Sequence, residues 1–501
     1  MHAQPTARSV DPAATRARRG FTALLRSKWV YALASLLFLV PCYWQPRIQA
    51  GDLSSHIYNS WLSQLIESGR LQGLVMVQQT TNVLFDLILS GLFKVVGPEA
   101  AQRIAVSLAV LTFVWGAFAF IAAVGGRRPW NLLPSIGMLA YGWVYHMGFF
   151  NFYLSLGLCF WGLSMVWDWS ARRMAMATPV FVVAYVAHAL PVVWAAGLVG
   201  YLLIARNLEP RLRLYVIAAS FVAMVVLHAV IGRTMVSAWS PQQINLTTGL
   251  DQVWVFDAKY YVVMVGLVLV WGLLFLNLIH LSGARQVVSG IPFQICVISA
   301  AGVFILPTTV LIPGFHHTLA FIAERMSLGV GVCVCALLGA ARPKRLEMWV
   351  LVLVAVVFFG FLYRDERALN SFEDRMQDTV AKLQPAQRVI SAIQDPEPRL
   401  NALMHMIDRV CIGHCYSYAN YEPSTGQFRI RVEAQNPVVA YNYRQSWELQ
   451  YGLYVVRESD LPLYQVDLDD NGMMVLKELK AGVPCGNTEW DPLSETLLAG
   501  G

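Results

Sequence analysis

The sequence predicts a polytopic α-helical membrane protein with about eleven transmembrane helices and a small α+β domain at its C-terminus. Of its 501 residues, 56% are hydrophobic and 14% are charged, whereas soluble proteins carry roughly 25% charged residues. The apolar residues form long runs, and a membrane-spanning helix needs about 20 of them. The charged residues lie between these runs and in the tail formed by residues 364–501.

Charge divides the chain into a basic body and an acidic tail. Residues 1–363 hold 24 Lys and Arg against 11 Asp and Glu, a net charge of +13; residues 364–501 hold 13 against 20, a net charge of −7. Basic residues in short loops are typical of the cytoplasmic side of a membrane protein. The overall charge of +6 therefore does not indicate nucleic-acid binding, and the expected surroundings are membrane lipids.

The N-terminus has the pattern of a basic cytoplasmic tail, residues 1–28, followed by a first span. Five basic residues between positions 16 and 28 directly precede the apolar run at 29–43: Arg16, Arg18, Arg19, Arg26 and Lys28. No small-residue cleavage site follows this run, so it is not expected to be a cleavable signal. We expect a bacterial inner (plasma) membrane protein with a cytoplasmic N-terminus and an extracytoplasmic C-terminus.

The apolar runs fix the predicted spans of the transmembrane domain, residues 29–363. They place spans near 29–45, 102–124, 131–147, 149–169, 211–231, 260–280, 291–313, 319–340 and 346–363. Residues 174–205, which include His188 and Pro191, are too long for one helix. If they form a hairpin of two short helices, every basic loop becomes cytoplasmic, which favours about eleven spans.

Two predicted outer loops are longer than connectors. The loop at 46–101 contains an amphipathic stretch from Leu53 to Leu71 and an apolar stretch from Asn82 to Val96. Both stretches are predicted to be helices that lie along the membrane interface. The second outer loop, residues 232–259, carries aromatic residues including Trp254, and such residues favour the headgroup level.

The tail formed by residues 364–501 is predicted to be a soluble extracytoplasmic α+β domain. Residues 366–410 have a charged helical pattern, whereas residues 426–480 alternate, as in Phe428–Val432. Asn471–Gly472 is a signal for a tight hairpin turn. Composition and pattern both change at the start of this region, which favours a separate domain.

Three cysteines lie in the tail: Cys411, Cys415 and Cys485. In an extracytoplasmic domain one pair could form a disulfide and leave one thiol over. Cys411, His414 and Cys415 form too incomplete a set for a zinc site. No metal and no cofactor are therefore expected, since nothing in the sequence supports a divalent cation.

Ionisable residues of the membrane body gather on its predicted outer side. They are His56, His146, His188, His228, His316, His317, Asp52, Asp86, Glu324, Arg233 and Arg325; of the seven histidines in the membrane body only His280 falls elsewhere. Ionisable residues beside apolar spans are costly and often functional. A single interfacial histidine is commonly only a hydrogen-bonded helix end, but random placement would divide the set between the two faces. The set predicts a polar cavity that opens outward.

The most specific element is the segment from Gly51 to His56, directly after the first span. A carboxylate at the membrane surface can accept a proton from a hydroxyl or an amine. Asp52 is therefore the candidate general base. The alternative is an N-cap for a helix that begins at Leu53, and the two roles are compatible.

The second element runs from Phe315 to Met326 and contains His316, His317, Glu324 and Arg325. An arginine at a membrane surface is well suited to bind a phosphate through two parallel hydrogen bonds. The alternative is a Glu324–Arg325 pair that neutralises itself or anchors the helix. Adjacent histidines point in different directions on a helix, so they do not indicate a metal site.

These elements resemble the GT-C superfamily of integral membrane glycosyltransferases, which includes the protein O-mannosyltransferases and the lipid A aminoarabinose transferase. Its members place an acidic residue after the first span, then two surface helices and a second span. Asp52 occupies the acidic position, and Thr81–Ile104 is similar to the second surface helix and its exit. Glu324–Met326, followed by an apolar helix, is similar to a span that often helps bind the donor's phosphate.

The resemblance implies a GT-C-like glycosyltransferase that moves a sugar from a polyprenyl-phosphate-linked donor to an unknown extracytoplasmic acceptor. Asp52 would be the base, and Arg325, with Arg233 or His317, would bind the phosphate. The remaining candidates for the binding site are Glu324, His56 and His188. The chain has Gly51 before Asp52 where the mannosyltransferases have an Asp-Glu pair, and Thr81–Asn82 replaces a frequent proline pair.

Two other functions fit a chain of this composition. A transporter or lipid flippase would need broken or charged helices near the bilayer midplane and repeated halves, and the sequence shows no internal repeat. A noncatalytic scaffold for envelope assembly would leave the outer histidines with structural roles only. Convergence of Asp52 and Arg325 on one outward cavity would favour the glycosyltransferase.

Overall fold

The computed structural model describes residues 27–394 and 399–486. The predicted basic tail lies almost entirely outside this part of the chain, as does the end of the C-terminal region. The described chain is mostly helical. Its α-helices are α1 (Lys28–Leu39), α2 (Leu53–Glu67), α3 (Leu84–Gly125), α4 (Leu133–Ala140), α5 (Trp143–His146), α6 (Phe150–Val166), α7 (Ala171–Ala187), α8 (Ala189–Arg206), α9 (Arg213–Thr234), α10 (Tyr261–Ser282), α11 (Ala284–Val288), α12 (Ile291–Ile305), α13 (Ile322–Leu338), α14 (Arg345–Val380), α15 (Met406–Val410), α16 (Tyr421–Thr425) and α17 (Tyr443–Gln450).

Short strands form three small sheets. The strands are β1 (Leu74–Met76), β2 (Val236–Ala238), β3 (Thr309–Leu311), β4 (Arg388–Ser391), β5 (Tyr416–Ser417), β6 (Ile430–Val432), β7 (Leu463–Leu468) and β8 (Met474–Glu478). Strand β1 pairs with β6 and β2 with β3, both antiparallel. The third sheet has the order β5-β4-β7-β8, in which only β7 and β8 are antiparallel.

Five helices in the described residues are long and apolar enough to cross a membrane. They are α3, α8, α9, α10 with its preceding turn (Ala258–Ser282) and α14. Three shorter apolar stretches, Lys28–Cys42, Phe150–Val166 and Ile291–Ile305, fall below that length. The structure is that of a helical membrane protein, but the eleven predicted spans are not confirmed.

The predicted span at 131–147 is not one helix. Helix α4 has eight residues and α5 has four, and an eight-residue helix is about 12 Å long. Gly142 lies between them, where a Cβ atom would be 2.8 Å from the carbonyl oxygen of Gln252. The chain breaks here because it packs against the second outer loop, a contact that hydropathy does not reveal.

Two other irregularities follow residues that the sequence displays. Helix α3 consists of two parts that meet at Gly97, whose φ of 77° favours glycine. The parts correspond to the predicted surface helix and the span that follows it. Helices α7 and α8 meet at His188, whose extended backbone interrupts the helix and whose Nδ1 accepts a hydrogen bond from the Leu190 amide at 3.1 Å. Residues 174–205 therefore contain two helices, as the hairpin hypothesis requires.

Helix α2 is buried, although the sequence predicts that it lies along the membrane interface. Eleven of its fifteen residues are buried. Leu53 and Ile57 belong to the core of the helical body, whereas Tyr58 and Leu62 belong to a core shared with the C-terminal region. An amphipathic pattern indicates a helix with an apolar face, but it does not show whether lipid or protein covers that face.

The C-terminal region packs against the first outer loop. The alternating segment at Phe428–Val432 forms β6, which pairs with β1 of that loop. Helix α14 runs without a break through residue 363 to Val380, so the predicted domain boundary falls inside a helix. The helical pattern predicted up to residue 410 ends at Val380, and strand β4 follows.

Local signals in the tail are more reliable than its predicted boundary. Strands β7 and β8 form an antiparallel hairpin around Asn471–Gly472, as predicted, and Gly472 has a φ of 71°. Cys411 and Cys415 form a disulfide, and Cys485 is a free, buried thiol. The tail thus contains both helix and strand around its own small core.

The close packing of α3 against α6 provides a test of the helical body. A Cβ atom on Gly116 would lie 2.3 Å from the carbonyl oxygen of Gly157, a contact that requires the helices to move apart. We expect Gly116→Ala to lower the free energy of unfolding by about 1–3 kcal/mol. Thermal unfolding of the purified protein in detergent measures this change.

Gly91→Ala, also in α3, is the matched control because nothing lies within 4 Å of the added Cβ atom. It should leave stability unchanged or raise it by up to about 1 kcal/mol. Equal changes in the free energy of unfolding for the two substitutions would contradict the close packing of α3 against α6.

Candidate active site

A cavity of about 450 Å³ lies where the start of α2, the start of α13 and the C-terminal region meet. We call it the first cavity. Five of the residues predicted from the sequence line it: Asp52, His56, His188, His317 and Arg325. The C-terminal region contributes His405, Tyr421 and Phe428, among others. The structure therefore brings most of the predicted site together and adds groups from the tail.

The backbone at Asp52 is fixed by contacts with the turn between α5 and α6. The amides of Gly51 and Asp52 donate hydrogen bonds to the carbonyl oxygens of His146 and Met147, at 2.7 and 3.0 Å. Gly148 has a φ of 84°, and a Cβ atom there would lie 2.5 Å from the Asp52 amide nitrogen. The close approach of the two segments therefore requires glycine at position 148.

The Asp52 carboxylate is free to face the cavity. Asp52 occupies the N-cap position of α2, but its side chain accepts no capping hydrogen bond. The side chain is 22% exposed. Asp52 therefore occupies the N-cap position, but its carboxylate does not cap the helix.

His405 lies between two carboxylates. Its Nε2 is 3.6 Å from Asp52 Oδ1, and its Nδ1 is 3.4 Å from Asp408 Oδ2. Burial opposes the charged imidazolium, but Asp408 and Asp52 together raise the pKa of His405. This imidazole can orient the Asp52 carboxylate and stabilise its negative charge.

Arg325 forms no ion pair with a carboxylate of the described residues, although Asp52 lines the same cavity. Its guanidinium lies over the Phe149 ring, 3.7 Å from the centroid. Its Nε atom is buried and has no hydrogen-bond partner among the described residues. The predicted Glu324–Arg325 pair does not form: Glu324 accepts a hydrogen bond from Thr308 and lines a different cavity. A buried cation is costly unless an anion accompanies it, so the position favours an anionic ligand.

Two histidines that line the first cavity are held by contacts within the protein. The ring of His317 stacks on Tyr421, with 5.7 Å between centroids and 23° between planes. Burial lowers the pKa of His317 to about 4, so the ring is neutral at pH 7 and adds no positive charge. His188 uses its Nδ1 to accept a hydrogen bond from the Leu190 amide.

His56 belongs to a buried network behind the first cavity. Its Nδ1 is 2.7 Å from Asp86 Oδ1, and Asn151 donates a hydrogen bond to Asp86 Oδ2 at 2.7 Å. Glu422 Oε1 lies 3.8 Å from the same imidazole. Burial opposes the imidazolium, but Asp86 and then Glu422 raise the pKa of His56 to about 9. The charged pair fixes the wall of the cavity.

Two predicted residues do not line the first cavity. Glu324 faces the cavity that contains Asp251 and Arg399. Arg233, at the end of α9, lines a surface depression that shares only Ile312 and Phe315 with the first cavity. Arg233 and Arg325 therefore do not line the same cavity.

Sequence reasoning missed the groups that the tail supplies. His405, Tyr421 and Glu422 come from a region that was predicted to be a separate domain, and no local motif marks them. Asn151 follows the turn at Gly148 inside an apolar run, where a single amide is unusual. This isolated amide beside the turn is the one signal from which Asn151 could have been found.

No protein-family model matches the chain, and neither does a curated protein or a solved structure. Within residues 27–394 and 399–486, no group of three or more His, Cys, Asp or Glu side chains is placed to hold a metal ion. The chemistry offered by the first cavity is a carboxylate beside an imidazole, together with a guanidinium that lacks a counter-ion.

The His56–Asp86 pair should make stability depend on pH. The pKa of His56 is about 9 in the folded protein and about 6.5 in an unfolded chain. The pair therefore stabilises fully below about pH 6.5, and this contribution is lost as the pH rises through about 9. We expect the apparent melting temperature in detergent to fall over this window.

In His56→Gln the fall over the same window should be smaller. The exposed His280 provides the control, since His280→Gln should keep the wild-type dependence. A profile for His56→Gln that parallels the wild type would show that the pair contributes nothing.

Proposed function

We propose that the protein is a GT-C-type membrane glycosyltransferase that moves a sugar from a polyprenyl-phosphate-linked donor to an extracytoplasmic acceptor. The observation that carries the proposal is that Asp52 and Arg325 line one cavity at the end of an apolar helical body. One of these groups can accept a proton, and the other can bind an anion. The reaction needs both functions side by side.

The donor fits the surroundings of Arg325. Its lipid would lie among the apolar helices, and its phosphate would serve as the anionic partner of the Arg325 guanidinium. As the bond between sugar and phosphate breaks, negative charge grows on the departing phosphate. A fixed guanidinium held on the face of Phe149 stabilises that charge without reorganisation.

Asp52 would act on the acceptor. Its carboxylate takes the proton of the acceptor's hydroxyl or amine as that atom attacks the anomeric carbon. The bond from this carbon to the phosphate oxygen breaks, and the electron pair leaves with the phosphate on Arg325. His405 positions the carboxylate. Inversion at the anomeric carbon is expected by analogy with the superfamily.

The proposal includes an orientation. With the basic loops on the cytoplasmic side of about eleven spans, the first cavity opens on the extracytoplasmic face. A bacterial inner membrane is the expected location. The C-terminal region would then form the outer wall of the cavity, where an acceptor arrives.

Asp52→Asn should abolish the activity, because an amide cannot accept the proton but keeps the size of the side chain. We expect transfer from a labelled polyprenyl-phosphate sugar to fall by about 10²–10⁴-fold. The assay uses membrane vesicles that contain correctly inserted protein, with a panel of sugars and extracytoplasmic acceptors. Glu67→Gln, at the exposed end of the same helix, should retain wild-type transfer. Equal transfer by Asp52→Asn and the wild type would remove Asp52 from the mechanism.

Arg325→Gln tests the phosphate site. The amide still reaches into the cavity but carries no charge, so transfer should fall by about a hundredfold. Arg325→Lys should recover only part of it, since an ammonium group lacks the planar fork. Arg70→Gln, an exposed arginine after α2, should be unchanged. Wild-type kinetics for Arg325→Gln would exclude this arginine from donor binding.

A further inference from the structure

A second cavity of about 610 Å³ lies beside the first. Its walls come from the second outer loop, the starts of α10 and α13, and Arg399 of the C-terminal region. Glu324 and Arg325 are adjacent in the first turn of α13 but line different cavities. The second cavity is therefore a distinct space.

Three residues that line the second cavity each have a buried polar side-chain atom without a hydrogen-bond partner among the described residues. These atoms are Asp251 Oδ1, Trp254 Nε1 and Arg399 Nη2. Asp251 is only 5% exposed. Buried polar atoms are nearly always satisfied in folded proteins, so three in one cavity indicate that something else supplies their partners.

The partners that are present hold these groups in place and leave the three atoms free. Asp251 Oδ2 accepts hydrogen bonds from Ser327 and Gln252, at 2.7 and 3.0 Å. Arg399 Nη2 is 3.8 Å from that same oxygen, which is too far for a hydrogen bond. Its guanidinium lies 4.6 Å from the centroid of the Trp254 ring.

Aromatic rings form one wall. Trp254 packs against Tyr261 with 4.7 Å between ring centroids, and both residues line the cavity. Such rings present a flat apolar face and, for tryptophan, a polar N–H at the edge. A ligand with an apolar face and a polar rim would match this wall.

The charges restrict the ligand further. The carboxylates of Asp251 and Glu324 oppose an anion, and the guanidinium of Arg399 opposes a cation. A hydrocarbon would leave the three polar atoms unsatisfied. Asp251 Oδ1 needs a donor, whereas Trp254 Nε1 and Arg399 Nη2 need acceptors, and a hydroxyl group is both.

We propose that the second cavity binds a neutral carbohydrate. Its hydroxyl groups donate to Asp251 Oδ1 and accept from Trp254 Nε1 and Arg399 Nη2, while one face of a sugar ring packs on the exposed ring of Tyr261. This inference does not rest on glycosyl transfer at Asp52, because every group that it uses lies outside the first cavity.

Direct binding tests the inference on the full chain in lipid nanodiscs. The probes are neutral oligosaccharides of hexoses and of N-acetylhexosamines, from disaccharides to hexasaccharides, and binding is followed by saturation-transfer NMR and calorimetry. Inorganic phosphate and Mg²⁺ serve as charged probes of the same cavity. We expect saturable binding of at least one neutral oligosaccharide, and no competition by either ion.

Two substitutions locate the binding. Asp251→Asn keeps an oxygen for Ser327 and Gln252 but replaces the unpartnered acceptor Oδ1 with an amino group that cannot accept a hydrogen bond. Trp254→Phe removes an N–H that makes no hydrogen bond within the described residues, so its loss breaks no internal bond. Each should weaken binding by roughly tenfold, with an unchanged melting temperature for Trp254→Phe.

Asp52→Asn is the control and should bind like the wild type. Loss of transfer in Asp52→Asn with intact binding separates the two proposals. Failure of every neutral oligosaccharide to bind would overturn the inference. So would binding that both Asp251→Asn and Trp254→Phe leave unchanged, or displacement of the oligosaccharide by phosphate.

Discussion

The first cavity depends on two backbone hydrogen bonds, from the amides of Gly51 and Asp52 to the carbonyl oxygens of the turn before α6. They form because Gly148 has no side chain to separate the segments. These bonds fix the start of α2, and α2 in turn carries His56 into the network with Asp86. Since the backbone alone sets the position, the Asp52 carboxylate need not act as a cap and stays available to the cavity.

The part of the cavity wall that the C-terminal region forms is held by polar contacts between distant parts of the chain. Arg409 donates a hydrogen bond to Glu373 at 2.7 Å and another to the Ile48 carbonyl oxygen at 2.9 Å. It therefore ties the C-terminal region to both α14 and the first outer loop, while β6 pairs with β1. A buried ion pair contributes little net stability, but removing one partner is costly. Here the Arg409 contacts chiefly fix positions, because His405 lies just before Arg409 in the same segment and faces Asp52.

Sequence patterns were informative where the determining contact is local. The turn at Asn471–Gly472 and the interruption at His188 depend on the residues themselves, and the structure shows both. Hydropathy did not reveal that residues 131–147 form two short helices or that protein covers most of α2. It reports that a side chain avoids water, not whether lipid or protein surrounds it. His405 could not be found from the sequence, since its partner Asp52 lies more than 300 residues away in the chain.

The first turn of α13 distributes charge between the two cavities. Successive residues of an α-helix point about 100° apart, so Glu324 and Arg325 face different spaces. Thr308 donates a hydrogen bond to Glu324, which keeps that carboxylate turned away from the guanidinium. Among the described residues Arg325 forms no ion pair, and it shares the first cavity with the carboxylate of Asp52, whereas the second cavity contains two carboxylates and one guanidinium. Because Coulomb interactions are strong where water is scarce, this division decides where an anion can bind: Arg325 attracts it in the first cavity, whereas the carboxylates of Asp251 and Glu324 oppose it in the second.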